Sequence, residues 1–238
     1  HLSGKAKTGL VILLLILLTS VLAPVLAPYD PLVSNLSEAL QKPSAAHRLG
    51  TDNIGRDTLS RVLYGGRQSI LLALAATVLS MLLGFALGLF AGYFGGWIDD
   101  VVEWLYSTFA SMPSLLFILA FALLVSKGFL FGPLEKAFAA TAHLLRTEPG
   151  MLAVYLGIGL TGWVSLCRVV RAETMRLRER QYVLAAKALG QTSFRILFRH
   201  ILPNLMHLVI VYFTMRFAFA IMTEVIVSYL GLGVQFEP

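Results

Sequence analysis

The sequence predicts an all-α, polytopic membrane helix bundle, and three observations carry that prediction. The 238 residues are 57% hydrophobic and only 13% charged, with mean hydropathy +0.77. Soluble domains carry about 25% charged residues. The apolar residues fall in long runs without the two-residue alternation of half-buried strands. Inside a bilayer only helices and closed barrels pair all their backbone groups, and the absence of alternation excludes the barrel. The remaining charge gathers between the runs, above all in a basic stretch from Arg168 to Arg199.

Lys5 and Lys7 precede an apolar run from Leu10 to Ala27. Although Val25-Leu26-Ala27 is similar to a signal-peptide cleavage site, the spans that follow favour an uncleaved first helix with a cytoplasmic N-terminus. Pro24, Pro28 and Pro31 end it, and a polar connection leads to a second run, Ser69 to Gly92. Gly84, Gly88, Gly92 and Gly96 recur at every fourth position, one row of a helix face against which another backbone can lie. After a polar turn at Asp99, Asp100 and Glu103, the third span is expected from about Leu105 to Val125, kinked at Pro113. Residues 126–150 carry scattered charge around Leu134, Phe138 and His143-Leu144-Leu145, read as an extramembrane loop with a short amphipathic helix.

The fourth span, Met151 to about Leu166, enters the basic stretch, where Arg168, Arg171, Arg176, Arg178, Arg180, Lys187, Arg195 and Arg199 face only Glu173 and Glu179. The positive-inside rule makes this loop cytoplasmic and places the loops after the first and third spans outside. A fifth span runs from about Leu205 to Leu232, interrupted by Arg216 and Glu224. Ionisable residues in a span are costly and often functional. Lining a pathway and pairing with a neighbouring helix or subunit are both open for this pair. Five spans leave an expectation that a sixth helix follows Pro238 and that the native start precedes His1. The expected organisation is 1–27, N-terminal segment and first helix; 28–68, extracytoplasmic loop; and 69–238, core, including a cytoplasmic loop at 168–204.

Within that loop, Gln181 to Leu189 is small and apolar, and Gly190 stands where a helix C-terminal cap is expected. Thr192 or Ser193 then opens a second helix in which Phe194, Leu197, Phe198, Ile201 and Leu202 form an apolar face and Arg195 and Arg199 point away. Pro203 is expected to break it before the next span. The stretch from Tyr182 to Gly190, with Arg199-His200-Ile201-Leu202-Pro203-Asn204, resembles the cytoplasmic loop of binding-protein-dependent ABC importer permeases. That motif is Glu-Ala-Ala, three residues, Gly, nine residues, Ile, one residue, Leu-Pro. Ala185-Ala186, Gly190 and Leu202-Pro203 match in spacing, whereas Leu184 replaces the Glu and His200 the Ile. The resemblance implies a type I ABC importer permease fold in which Tyr182, Ala185, Ala186, Ala188, Leu189 and Gly190 seat a coupling helix on an ATP-hydrolysing subunit.

Two further segments narrow the resemblance. His47-Arg48-Leu49-Gly50-Thr51-Asp52, Gly55-Arg56-Asp57, Ser60-Arg61 and Gly66-Arg67 are similar to the signature of the C-type peptide permease branch, which serves dipeptides, oligopeptides, nickel and related solutes. Glu224 to Gln235, with Ser228-Tyr229-Leu230-Gly231-Leu232-Gly233-Val234, resembles the same branch. Asp57 and Arg61 are expected to pair at i, i+4, with Leu59, Val62 and Leu63 on the apolar side of a short helix. A metal site at His47, Asp52 and Asp57 is disfavoured against a structural loop, because one His with two carboxylates is a weak signature.

The partners implied are two ATP-binding subunits, a second homologous permease, an extracytoplasmic solute-binding protein and the lipid bilayer. No cofactor is expected in this chain; ATP belongs to the partner subunits, since GxxxxGK[ST] is absent. Nucleic-acid binding is not expected from +6 net charge in a membrane protein, where Lys and Arg mark cytoplasmic loops. A membrane enzyme would need facing catalytic groups within the spans, and His47, His143, His200 and His207 have no such partners at helical spacing. A scaffold subunit is the other rival. Cys167 is read as packing.

Overall fold

Residues 3–127 and 149–230, with positions 132, 136, 140 and 141, are described by the computed structural model. The segment expected as an extramembrane loop, 126–150, and the Gly231 to Val234 signature therefore lie largely outside the described residues. The chain divides into two compact units, one up to Leu72 and one from Ala73 onward. All named elements are helical, and among the described residues the β-pairing is one isolated bridge, Thr51 with Asp57.

In the first unit, α1 (Gly4–Val21) is followed by the short α2 (Ala23–Leu26). Backbone pairing runs through the join, because Leu22 N–H donates to Leu18 O and Leu26 N–H to Leu22 O, both at 2.9 Å. Ala27 turns extended (ψ 122°) ahead of Pro28, as a residue before proline must. The helix thus starts earlier than the Leu10 to Ala27 run, at Gly4, and its apolar stretch continues through the join into α2. The expected short helix after Asp57 is the opening of α3 (Thr58–Phe94), a single helix of 37 residues, about 55 Å at 1.5 Å per residue. Gly65 and Gly66 do not interrupt it.

The second unit is built on α6 (Pro149–Arg178), whose apolar window is 61% buried against 39% for α3. The glycine row explains their closeness. A β-carbon at Gly84, Gly88 or Gly92 would stand 2.6 Å from the carbonyl oxygens of Trp163, Cys167 and Arg171 respectively. Both helices therefore meet with a four-residue repeat, the close backbone approach that small residues permit. Gly96 is not in the row. Helix α3 ends at Phe94, and Gly95 (φ 66°) and Gly96 (φ 55°) make a left-handed turn into α4 (Gly96–Ser111).

The third span differs from expectation. Met112 is extended before Pro113, so α4 stops and α5 (Ser114–Ser126) leaves at 88°. At 16 and 13 residues, neither arm alone crosses a hydrocarbon core of about 30 Å. The described residues hold three helices long and apolar enough to span, or four if this bent pair counts as one.

After α6 come α7 (Gln181–Ala188), α8 (Ser193–Ile196), a π-helical turn (Leu197–Ile201) and α9 (Leu202–Tyr229). Pro203 does not break the chain here. It occupies the first turn of α9, where its missing N–H is least costly. The π turn shifts the register so that Leu202 N–H reaches Leu197 O, and Asn204 Nδ2 donates to His200 O at 2.6 Å. Residues 193–229 consequently form one apolar helical path. Its buried side is Ile196, Leu197, Ile201 and Leu205, while Phe194 and Phe198 are exposed. The expected face is thus rotated, because a π turn adds a residue to the helical count.

Candidate functional site

Three groups of candidate residues can be placed. The first is α7. Its end is a complete Schellman motif: Gly190, at φ 77°, donates its N–H to Lys187 O at 3.0 Å, and Gln191 N–H donates to Ala186 O at 3.1 Å. Val183 and Ala186 point inward and join Leu177, Ile196, Leu197, Ile201 and Leu205 in one core cluster. Ala186 therefore anchors the helix to its own protein. Tyr182, Ala185, Ala188 and Leu189 face outward with Leu184, and Leu189 is 81% exposed.

Side chains around α7 fix its position. Lys187 Nζ lies 5.4 Å from the Tyr93 ring centroid, and Arg178 Nη1 donates to Tyr93 O at 3.1 Å. His200, the departure from the family's Ile, has its Nε2 3.1 Å from Gln191 Oε1 and so braces the turn after Gly190. Phe194 and Phe198 extend the exposed apolar surface beside α7. The sequence pattern puts them with Leu197 and Ile201 on the apolar face of a helix lying on the membrane surface, whereas the structure buries Leu197 and Ile201 and leaves both phenylalanines exposed.

The second group is Arg216 and Glu224, both on α9. They are not joined. Arg216 Nη2 donates to Ser165 Oγ of α6, and its guanidinium lies 5.7 Å from the Phe219 ring centroid. Glu224 is buried, and its Oε1 accepts from Ser228 Oγ at 3.0 Å.

The third group is the polar loop of the first unit. Asp57 does not pair with Arg61. It caps α3, with Oδ2 accepting from Ser60 N–H at 2.8 Å and Ser60 Oγ at 2.7 Å, while Oδ1 lies 3.0 Å from His47 Nδ1. Burial raises its pKa, but the Ser60 hydrogen bonds and His47 prevail and hold it below the ordinary value. Arg61 pairs instead with Asp52, which also receives Arg56 Nε at 2.9 Å and the backbone N–H groups of Ile54 and Arg56. The carboxylate of Asp52 is thus committed to arginines and does not converge with His47 on a metal.

Asp52 makes the loop's stability testable. Burial pushes its pKa up, yet the hydrogen bonds from Arg56 and Ile54 and the Arg56 charge outweigh this and hold it at about 2, against 3.8 ordinarily. A depressed carboxylate stabilises fully above its unfolded pKa, and that contribution is lost as pH falls from about 4 towards 2. Asp52→Asn is expected to cost about 2 kcal/mol at neutral pH. Thermal melts of wild type and variant should differ at neutral pH and converge through that acid window; a constant gap would refute the assignment.

Known proteins are similar to this sequence over most of its length. Residues 84–237 match the family described as binding-protein-dependent transport system inner membrane component. Residues 5–43 match the N-terminal TM domain of oligopeptide transport permease C. Among relatives, the oligopeptide transport system permease protein OppC of Bacillus subtilis is 34% identical over 229 residues, 96% of this chain and 68% of that protein. The dipeptide transport system permease protein DppC of the same organism is 33% identical, covering 97% and 65%. DppC of Haemophilus influenzae is 32% identical, covering 97% and 72%. The fold and the matches define an all-α integral membrane permease component. The chain belongs to the binding-protein-dependent transport inner membrane component family, in its peptide-permease C branch. It spans about two thirds of the length of these relatives.

Proposed function

We propose that this chain is the membrane-spanning permease subunit of an ATP-driven, binding-protein-dependent importer of peptides or a related small solute in a bacterial plasma membrane. It forms the translocation pathway with a second homologous permease, receives solute from an extracytoplasmic binding protein, and is driven by two ATP-binding subunits. Residues 28–68 face the outside, and the N-terminus and residues 168–204 face the cytoplasm. ATP binding closes the partner ATPases, and their motion enters through α7 and turns the helices between inward and outward access.

The observation that carries the reading is the two-sided character of α7. Its inner side is fixed in the core by Val183 and Ala186, its outer side offers Tyr182, Leu184, Ala185, Ala188 and Leu189, and its end is locked by the Gly190 cap. A short helix held in this way passes a push on its outer face to α6, α9 and Tyr93 instead of rolling. Names of the relatives, which are peptide permeases, support the solute class.

The test is ATP hydrolysis by the full transporter in proteoliposomes with Leu189→Glu. The substitution puts a charge on an 81% exposed side chain and leaves the core untouched. Stimulation by the binding protein should fall at least about tenfold, the loss expected when a buried interface must accept an unpaired charge. Gly190→Pro, which removes the N–H that reaches Lys187 and forbids the positive φ, should do the same. Unchanged stimulation in both variants would remove α7 from the coupling path.

A further inference from the structure

We infer that Arg216, Ser165 and Ser80 form an anion site deep in the helix bundle that takes the carboxylate of the transported solute; the assignment rests on the peptide-permease reading above. Each residue lies near the middle of its long apolar helix, Ser80 on α3, Ser165 on α6 and Arg216 on α9. Three helices therefore bring hydrogen-bond donors together around Arg216, an ionisable residue of the kind that is rare inside a bilayer and often functional there.

Arg216 needs an anion. A guanidinium carries five donors and no acceptor, and its charge is costly to hold among apolar helices without a counter-charge. Among the described residues it makes no ion pair, and its hydrogen-bond partner there is Ser165 Oγ, a neutral acceptor. Glu224 is eight residues further along α9, about 12 Å along the axis.

Polar side chains from other helices also gather beside Arg216. A β-carbon on Gly162 would lie 3.6 Å from Arg216 Nη1 and collide with Ser80 Oγ, so the glycine lets both groups lie close against the α6 backbone. Ser80 is 4% exposed and Thr77, one turn away, is 2% exposed, and neither hydroxyl makes a hydrogen bond among the described residues. Buried hydroxyls without partners are uncommon and point to an occupant. Arginine and hydroxyl donors converging on one corner match a carboxylate, which is acceptor-only and takes a guanidinium through two parallel bonds.

A carboxylate on a second permease could satisfy the same chemistry, but the geometry favours the solute. The Arg216 tip points to Gly162 and Ser165 within this chain's own bundle, whereas the exposed side of α9 is apolar and carries Met206, Ile210, Met215 and Met222.

The experiment measures uptake of one peptide with a free C-terminal carboxylate and of the same peptide as its C-terminal amide. Both are given to proteoliposomes of the assembled transporter with its binding protein. Comparing variant with wild type for each peptide cancels any preference of the binding protein itself. Arg216→Gln should slow uptake of the free acid about tenfold and leave the amide within about twofold, the scale of a lost charge-assisted hydrogen bond. Arg216→Lys should recover part of the loss, and Ser80→Ala, which removes one donor without adding bulk, should slow only the free acid, by a few fold. Equal slowing of both peptides by assembled Arg216→Gln and Ser80→Ala would overturn the site. Loss of the second permease from purified Arg216→Gln, with acid and amide still equal in Ser80→Ala, would assign Arg216 to the subunit interface instead. A wild-type transporter that moves neither peptide would overturn the function proposed above and the ligand with it.

Discussion

Gly88→Val is expected to keep the helix bundle from closing, so that little folded protein reaches the membrane. A β-carbon at Gly88 would stand 2.6 Å from Cys167 O and 3.0 Å from the Val170 β-carbon, atoms that belong to or adjoin the α6 backbone and cannot turn aside. Relief requires α3 and α6 to separate along the seam, which also loosens the matching contacts at Gly84 and Gly92. Overpacking by a single group costs about 1–3 kcal/mol. Alanine should therefore cost about 2 kcal/mol, and valine, with two further methyls, more than about 3. Gly65 supplies the control, because it lies in the same helix and a β-carbon added there would meet nothing within 4 Å. Gly65→Ala should accordingly be neutral or slightly stabilising through helix propensity. Yield and thermal stability of the purified protein measure both. A Gly88→Val protein as stable as wild type would show that the seam is not close-packed in the membrane.

That seam is readable in the sequence because a four-residue repeat is a local property of one helix, and helix existence follows from apolar runs for the same reason. Gly96 continues the repeat on paper but not in space, since the spacing alone does not reveal that Gly95 turns the chain at positive φ. The prolines divide by context. Met112, forced to extended geometry, converts a kink at Pro113 into an 88° break, whereas Pro203 falls in a first turn where the π register and Asn204 supply the hydrogen bonds. The Gly190 cap is legible, but which alanine faces inward is not, because the burial of Ala186 depends on Ile196, Ile201 and Leu205 returning to it through the π turn. Likewise, i, i+4 spacing suggests an Asp57 with Arg61 pair that loses to two stronger demands: Asp57 caps α3, and Asp52 gathers Arg56 and Arg61. Arg216 stands out in the sequence by cost alone; its partners on α3 and α6 require the packing of three helices.

Arg171→Met is expected to be the most damaging polar substitution in the second unit, at about 3 kcal/mol or more. Its guanidinium grips Asp99 with Nε and with Nη2 at 2.7 Å and reaches Glu103 Oε2 at 3.0 Å, a forked contact between α6 and α4. The same residue's carbonyl lies against Gly92, so Arg171 ties α6 to both neighbours. Removing the cation leaves two carboxylates one turn apart, with the Asp99 side chain only 13% exposed and able to draw little help from solvent. Removing Asp99 instead leaves Arg171 with Glu103, which is 54% exposed, so Asp99→Leu should cost less, about 1–2 kcal/mol. The double variant Arg171→Met, Asp99→Leu should recover much of the loss, since apolar replacement of both members of a buried pair is often near neutral. Thermal unfolding of the four proteins forms a double-mutant cycle. Additive losses would mean that the pair does not couple α4 to α6, and the placement of α7 beside Tyr93 would then rest on the glycine seam, the Arg178 hydrogen bond and the core around Val183 and Ala186.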